Sequence, residues 1–255
     1  MTKLRTIVSA EVAVAEELPL VHTTRCDVLP HIVTSHELRG GECDVFHEHL
    51  VYFFYGRPAY RTSGGSKPAG DLDPCPVCFV FKPHTIGSGA KRVFPCDTGA
   101  LSGGNFENHL YATDRDDVEL DATIDSARKL VPLVFGDNSR YFFGNVTPTL
   151  PGAFPPGTAA ARFHALLTDT GPLQADDRRS VIEVQLDSPV ALEHHLLYVI
   201  LPRELLNQAG TREAILQIWQ ADPIGYDIYN HRQPHEYRTT ICDIVKERFK
   251  QGGRL

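Results

Sequence analysis

Apolar runs along the chain predict a series of short strands with helices between them. Residues 18–23 (LPLVHT) and 51–55 (VYFFY) have the β-branched and aromatic composition of strands, and residues 77–81 form a third apolar run. Two later runs, 180–186 (SVIEVQL) and 196–201 (LLYVIL), predict two more strands. The pattern therefore indicates a mixed α and β architecture.

Helical periodicity occupies several of the intervening stretches. Apolar residues recur at helical spacing over 28–33 and 124–131, and residues 203–208 and 211–221 are predicted to be helical. A last helix over 236–250 carries a single apolar stripe, which predicts that one face packs against the core.

Irregular segments separate these elements. Residues 84–105 are rich in glycine, with only 92–94 suggesting a strand, and irregular segments on a rigid scaffold commonly carry recognition. Residues 151–157 are rich in proline, but we interpret them as a loop because the segments on both sides are expected to complete one site. We therefore predict a single domain over 1–255.

Composition limits the classes of protein to consider. The 32 acidic and 25 basic residues give a net charge of −7, which disfavours a protein that holds long duplex DNA by its phosphates. Acidic residues interrupt the N-terminal apolar stretch, and no run approaches the roughly 18 apolar residues of a membrane span. We expect a cytoplasmic protein without membrane association, and its six dilute cysteines are expected to be reduced.

Three segments carry candidate chemistry. Arg57 lies between a glycine and a proline at the exit of the aromatic strand, although an arginine that merely extends to the surface fits that position as well. His22 and Thr24 alternate along the first strand and therefore share a face. Glu183 lies in an alternating strand, where a solvent-facing side chain is the simpler interpretation.

Taken in order, the segments HTT (22–24), VYFFYGRP (51–58) and RRSVIEVQLDSPV (178–190) resemble the DarT-type ADP-ribosyltransferase toxins. In that family a His-x-Thr segment, an aromatic strand ending at an arginine, and an arginine-led strand with a glutamate build the NAD site. The resemblance implies an α+β fold with an ADP-ribosyltransferase-like split β-sheet, flanked by helices, that clamps NAD as co-substrate in a central cleft.

The resemblance also implies roles for individual residues. Glu183, preceded by Arg179, becomes the catalytic glutamate, and Arg57 becomes the active-site arginine. The sequence has Gly-Arg-Pro where the family has proline before arginine, so Arg61 is the alternative for that role. The NAD contacts implied are His22, Thr24, Tyr52, Tyr55 and Arg61, with the two tyrosines as candidates for ring stacking.

These residue types suit the cleavage of NAD. Breaking the nicotinamide–ribose bond passes through a state that resembles an oxocarbenium ion, so a nearby carboxylate stabilises developing positive charge. An arginine binds pyrophosphate through a planar fork that lysine does not reproduce. No metal is required by this chemistry.

The implied function is transfer of ADP-ribose to a macromolecule, most of all a base of single-stranded DNA or RNA, by a bacterial toxin or phage-defence effector with an antitoxin protein as partner. A short single strand needs only a few cationic and stacking residues, for which Lys91, Arg92, Arg140 and Tyr141 are candidates.

Several alternatives stay open at this point. A non-catalytic module on the same fold that binds NAD, ADP-ribose or a nucleic-acid end is the main one, and an RNA-repair phosphotransferase related in fold is weaker. Cys75 and Cys78, with His84 and Cys96, have part of the spacing of a zinc site. A cysteine–histidine hydrolase, with Cys26, Cys43 or Cys96 as nucleophile, is not selected by any spacing.

Overall fold

The computed structural model of the chain describes residues 2–59, 71–86, 89–147, 154–171 and 176–255. Its strands are β1 Leu20–Arg25, β2 Glu37–Leu38, β3 Gly41–Cys43, β4 Glu48–Tyr55, β5 Pro76–Phe81, β6 Arg92–Phe94, β7 Glu183–Leu186, β8 Val190–Ala191, β9 Leu196–Pro202 and β10 Asp222–Tyr226. Its α-helices are α1 Leu4–Val8, α2 Leu29–Ser35, α3 Thr98–Ser102, α4 Arg115–Val118, α5 Ile124–Val134, α6 Asn138–Phe142, α7 Ala159–Thr168, α8 Arg203–Leu206, α9 Ala209–Glu213 and α10 Tyr237–Gln251. The predicted site residue Arg61 lies outside the described residues.

One large sheet organises the chain. Its strands follow in the order β10, β9, β5, β1, β4, β7, β6, and β3 pairs with β4 as an additional strand. Among these pairs, β9 and β10 are parallel and the others are antiparallel. Helices flank this sheet, so the predicted α+β class is confirmed. Strands from both sides of residues 151–157 belong to this one sheet.

The sheet divides between its two central strands. β1 and β4 pair only at Leu20 with Tyr55 and at Val21 with Phe54. β1 continues its ladder with β5 as far as Arg25, and β4 continues its ladder with β7 as far as Val51. Beyond Val21, β1 stays paired with β5 and β4 stays paired with β7, but β1 and β4 are no longer paired with each other. This leaves a split at the centre of the sheet.

The core lies on both faces of this sheet. All six residues of β5 are buried, as expected for a continuous apolar run with neighbours on both sides. The stripe predicted on the last helix is confirmed, because Ile241, Val245 and Phe249 of α10 are buried. On the other face Phe79 packs against Trp219, with ring centroids 6.0 Å apart.

Two predicted elements were wrong in extent. The strand predicted from residue 180 begins at Glu183, because residues 177–180 form a turn of 3₁₀-helix capped by the Asp176 side chain. The helix predicted over 211–221 ends early: α9 passes into a π-helical turn at Ala214–Ile218, and β10 follows. The proline and glycine in β10 concealed a strand at the edge of the sheet, where a missing backbone donor is tolerated.

Gly40 lies where the backbone before β3 passes close to the backbone of β4. A Cβ at this position would lie 2.8 Å from both the N and the C atom of Leu50. Replacing Gly40 with alanine is expected to force these backbones apart and to lower the free energy of unfolding by about 2 kcal/mol. The measurement is urea denaturation, compared with the wild type.

Gly41→Ala is the matched control for this prediction. A Cβ on Gly41 meets no atom within 4 Å, so the expected change is within about 0.5 kcal/mol. Equal stabilities of the two alanine variants would contradict the close approach of these backbones.

Candidate functional site

A cleft of about 430 Å³ lies beside the split between β1 and β4. Its lining includes His22 and Thr24 of β1 and Tyr52 of β4, all three predicted as NAD contacts. Further lining residues come from α2, β2, β3 and the loops joining them: His31, Ile32, Glu37, Arg39, Gly40 and Glu42. The structure thus brings three of the predicted binding residues together at one concave surface.

His22 bridges the two strands just beyond the point where their backbone pairing ends. Its Nδ1 lies 2.8 Å from the carbonyl oxygen of Tyr52, and its ring packs 5.7 Å from that of Phe53, centroid to centroid. Burial lowers the pKa of His22, and the hydrogen bond to the Tyr52 carbonyl opposes this effect only in part. A neutral imidazole with its proton on Nδ1 follows, since the carbonyl only accepts.

Glu183 begins β7 and is almost completely buried, with 2% of its surface exposed. Its Oε2 accepts a hydrogen bond from the Thr98 backbone N–H at 3.1 Å. Its Oε1 accepts from the Thr98 hydroxyl at 2.7 Å and from Gln185 Nε2 at 2.6 Å. The interpretation of Glu183 as a solvent-facing residue is therefore wrong.

The surroundings of Glu183 favour its protonated form. Burial, followed by the negative charge of Asp97, raises the pKa of Glu183 to about 7, against the lowering effect of the bonds from Thr98 and Gln185. Near neutral pH the side chain is therefore available both as an acid and as a base. A carboxyl tuned in this way is typical of a functional site.

The register of the strands decides how Glu183 lies relative to the cleft. Glu183 pairs with Phe54, which pairs with Val21 at the end of the β1–β4 ladder, so the three side chains share one face of the sheet. His22, the next residue of β1, turns to the opposite face. Glu183 thus lies in register with the start of the split, while His22 and Thr24 line the cleft from the other side.

Tyr52 connects the two halves of this arrangement. It lines the cleft, and burial, a hydrogen bond with Cys43 and the charge of Glu183 all raise its pKa. The described residues that line the cleft do not include Glu183, so a ligand in the cleft contacts His22, Thr24 and Tyr52 and lies on the opposite face from the Glu183 carboxyl.

Arg57 is buried, with 6% of its surface exposed, so the interpretation of a surface-extended arginine is wrong. Its Nη2 donates to Ser180 Oγ at 2.8 Å and to the Asp177 carbonyl at 2.9 Å, and its guanidinium lies 5.7 Å from the centre of the Tyr141 ring. These bonds hold the segment that leads into Glu183. The guanidinium supports the start of β7, and the described hydrogen bonds of the Glu183 carboxylate come from other residues.

Two other residues implied by the resemblance lie in the interior. Tyr55 is fully buried, and its hydroxyl oxygen accepts a hydrogen bond from Leu18 N at 3.0 Å, so its ring belongs to the core and not to the cleft. Arg179 donates from Nη1 to the carbonyls of Leu166 and Asp169, both at 2.9 Å, which ties the turn before β7 to the end of α7.

The residues predicted to bind a single strand do not form one basic surface. Tyr141 is fully buried, and its hydroxyl donates to the Tyr55 carbonyl. Arg140 of α6 donates to the backbone carbonyls of Phe135 and Val146, on either side of the helix. Lys91 and Arg92 both pair with Glu48, which neutralises much of their charge.

The alternatives based on cysteine find little support. Burial raises the pKa of Cys26 and Cys96, which opposes formation of a thiolate at either position. Over the described ranges no group of three or more His, Cys, Asp or Glu side chains converges in a way that could hold a metal ion.

None of the helices in the described ranges is both long and apolar enough to cross a membrane.

Sequence reasoning missed Thr98 and Gln185, the two partners of the Glu183 carboxyl. Gln185 follows Glu183 by two residues, so the alternation of the strand already placed them on one face. Thr98 comes from the glycine-rich segment 84–105, and no local pattern indicates which strand that segment packs against. Only its general interpretation as a region that carries recognition pointed toward it.

Comparison of the chain with protein-family models, with curated proteins and with solved structures finds no match.

Proposed function

We propose that this chain is an NAD-dependent ADP-ribosyltransferase that modifies a macromolecule. The observation that carries the proposal is the position of Glu183: a buried carboxyl with a pKa near 7 lies in register with the start of a split in the sheet, and a cleft lined by His22 and Thr24 lies at the same split on the other face. A central split beside a cleft is also what the resemblance to DarT-type toxins implies.

The chemistry of the site fits this reaction. As the bond between nicotinamide and ribose breaks, positive charge develops on the ribose, and the ionised form of Glu183 stabilises it. The same carboxylate accepts a hydrogen bond from a ribose hydroxyl or takes a proton from the acceptor. Neutral His22 and the Thr24 hydroxyl supply uncharged hydrogen-bonding groups for the rest of the dinucleotide.

The acceptor under this proposal is a base of single-stranded DNA or RNA, as the resemblance implies, in a toxin or phage-defence setting with an antitoxin partner. The net charge of −7 restricts nucleic-acid binding to a local groove.

Incubation of the protein with NAD labelled in its adenine, and with single-stranded DNA, RNA or cell lysate in parallel, tests the proposal. We expect label in one macromolecular fraction together with free nicotinamide. Absence of both products in every mixture would count against it.

A second candidate is a non-catalytic module that binds NAD or ADP-ribose. It is favoured by one observation: both oxygens of the Glu183 carboxyl already accept hydrogen bonds from the protein. Saturable binding of NAD to a wild-type protein that releases no nicotinamide would select this candidate.

A further inference from the structure

The partners of the Glu183 carboxyl differ in what they can do when it gains or loses a proton. The Gln185 amide nitrogen and the Thr98 backbone N–H only donate, so they favour the ionised form. The Thr98 hydroxyl, 2.7 Å from Oε1, donates to a carboxylate and, after rotation about its C–O bond, accepts from a carboxylic acid, and the bond to the charged carboxylate is the stronger of the two. One contact therefore serves both forms.

We infer that Thr98 and Gln185 are positioning residues that hold the Glu183 carboxyl in one orientation whether it is protonated or ionised, with the Thr98 hydroxyl as the reversible partner. This inference rests on the proposed function and deepens it, because a group that acts as acid and as base in one reaction needs the same geometry in both states. The local structure supports it: Thr98 and Gln185 are 1% and 0% exposed, so their rotamers are fixed by packing.

The turn that carries Thr98 is itself fixed. Thr98 is the first residue of α3, and the Asp97 side chain caps the helix by accepting from Ala100 N at 2.6 Å. Gln185 Nε2 also lies 3.2 Å from Thr98 Oγ1, so the two positioning side chains contact each other as well as the carboxyl. Removal of either one is therefore expected to disturb a closed set of three polar side chains.

The other titratable groups near Glu183 act in one direction. Asp97 raises the pKa of the carboxyl by its charge, and the charge of Glu183 in turn raises the pKa of Cys96, from the same segment, and of Tyr52, from β4. No cation is among the causes that shift the Glu183 pKa. The bonds from Thr98 and Gln185 are the effects that favour the ionised form, and their loss is expected to raise the proton affinity of the carboxyl.

The test is a titration of the free protein, without NAD. The protein is produced with ¹³C-carboxyl glutamate, Glu183→Gln assigns the signal, and the carboxyl shift is followed from pH 4 to pH 9 by NMR. We expect the wild type to titrate near pH 7. Thr98→Val keeps the shape of the side chain but removes its hydroxyl. We expect the Glu183 carboxyl of this variant to bind its proton about tenfold more tightly than in the wild type. Thr98→Ser keeps the hydroxyl and is expected to return the midpoint to that of the wild type.

Gln185→Met is the second variant, should the valine variant fail to fold. It removes the amide donor but keeps an unbranched side chain, and we expect the titration midpoint of Glu183 to rise in this variant too. A midpoint equal to the wild type in a folded Thr98→Val or Gln185→Met protein would overturn the inference, as would a Thr98→Ser midpoint equal to that of Thr98→Val. The titration is independent of turnover, so the expected midpoints without nicotinamide release would refute the proposed function alone.

Discussion

Replacing Glu183 with glutamine is expected to lower nicotinamide release from NAD by about 10²–10⁴-fold, because the variant loses a carboxyl that takes up and releases a proton near pH 7. The fold is expected to persist. Glutamine keeps the size of the side chain, and its carbonyl accepts from Thr98 N–H. Its amide donates to the Thr98 hydroxyl oxygen and to Gln185, whose side-chain amide turns over so that Oε1 faces position 183. Release of nicotinamide is measured by chromatography, with circular dichroism to verify folding.

Glu213→Gln is the matched control for this variant. Glu213 ends α9 and is exposed, so the same chemical change there is expected to leave both turnover and folding unaltered. A folded Glu183→Gln protein with the turnover of the wild type would remove Glu183 from the mechanism.

The same variant also changes how stability depends on pH. Glu183 has a pKa of about 7 in the folded protein and an ordinary value of 4.5 when unfolded. Between these values the folded chain holds a proton that the unfolded chain releases, so the contribution of Glu183 is complete below pH 4.5 and is lost as the pH rises to 7. Relative to Glu183→Gln, the wild type is expected to lose about 3 kcal/mol of unfolding free energy across this window.

Arg57→Ala is expected to lower the free energy of unfolding by about 3 kcal/mol. The substitution removes the Arg57 donor from the Ser180 hydroxyl and from the carbonyls of Asp177 and Phe142, and it opens a cavity beside the Tyr141 ring. Chemical denaturation measures the loss. Arg57→Lys is expected to recover only part of it, because one ammonium does not reproduce the planar fork.

The control for Arg57 is another arginine whose bonds are exposed. Arg203 pairs with Asp227 at 2.7 Å, but both side chains are more than half exposed, so Arg203→Ala is expected to change stability little. Equal stability of Arg57→Ala and the wild type would show that the bonds to the segment before β7 do not hold it in place.

Local patterns predicted several features of the two strands that border the split. The aromatic composition of β4, the position of Arg57 at its exit and the His-x-Thr alternation of β1 were all evident from neighbouring residues. The interior stripe of α10 was equally clear. These features depend on periodicity and on strand-ending residues, which are properties of short segments.

Features that depend on distant segments were not predictable. Glu183 and His22 lie on opposite faces of the sheet because Val21 pairs with Phe54 and Phe54 pairs with Glu183. A shift of one residue in either pairing would place them on the same face. The burial of Glu183 depends on α3, which comes from a segment without periodicity. The burial of Arg57 likewise depends on Ser180, 123 positions away in the chain.

The most direct test of the central claim is a crystal structure of Glu183→Gln with NAD, in which loss of turnover keeps the dinucleotide intact. We expect NAD to cross the split between β1 and β4, with one part against His22 and Thr24 and a ribose hydroxyl about 3 Å from the side chain at position 183. A cleft that stays empty at saturating NAD, or a dinucleotide bound out of reach of both His22 and position 183, would contradict the proposed transferase.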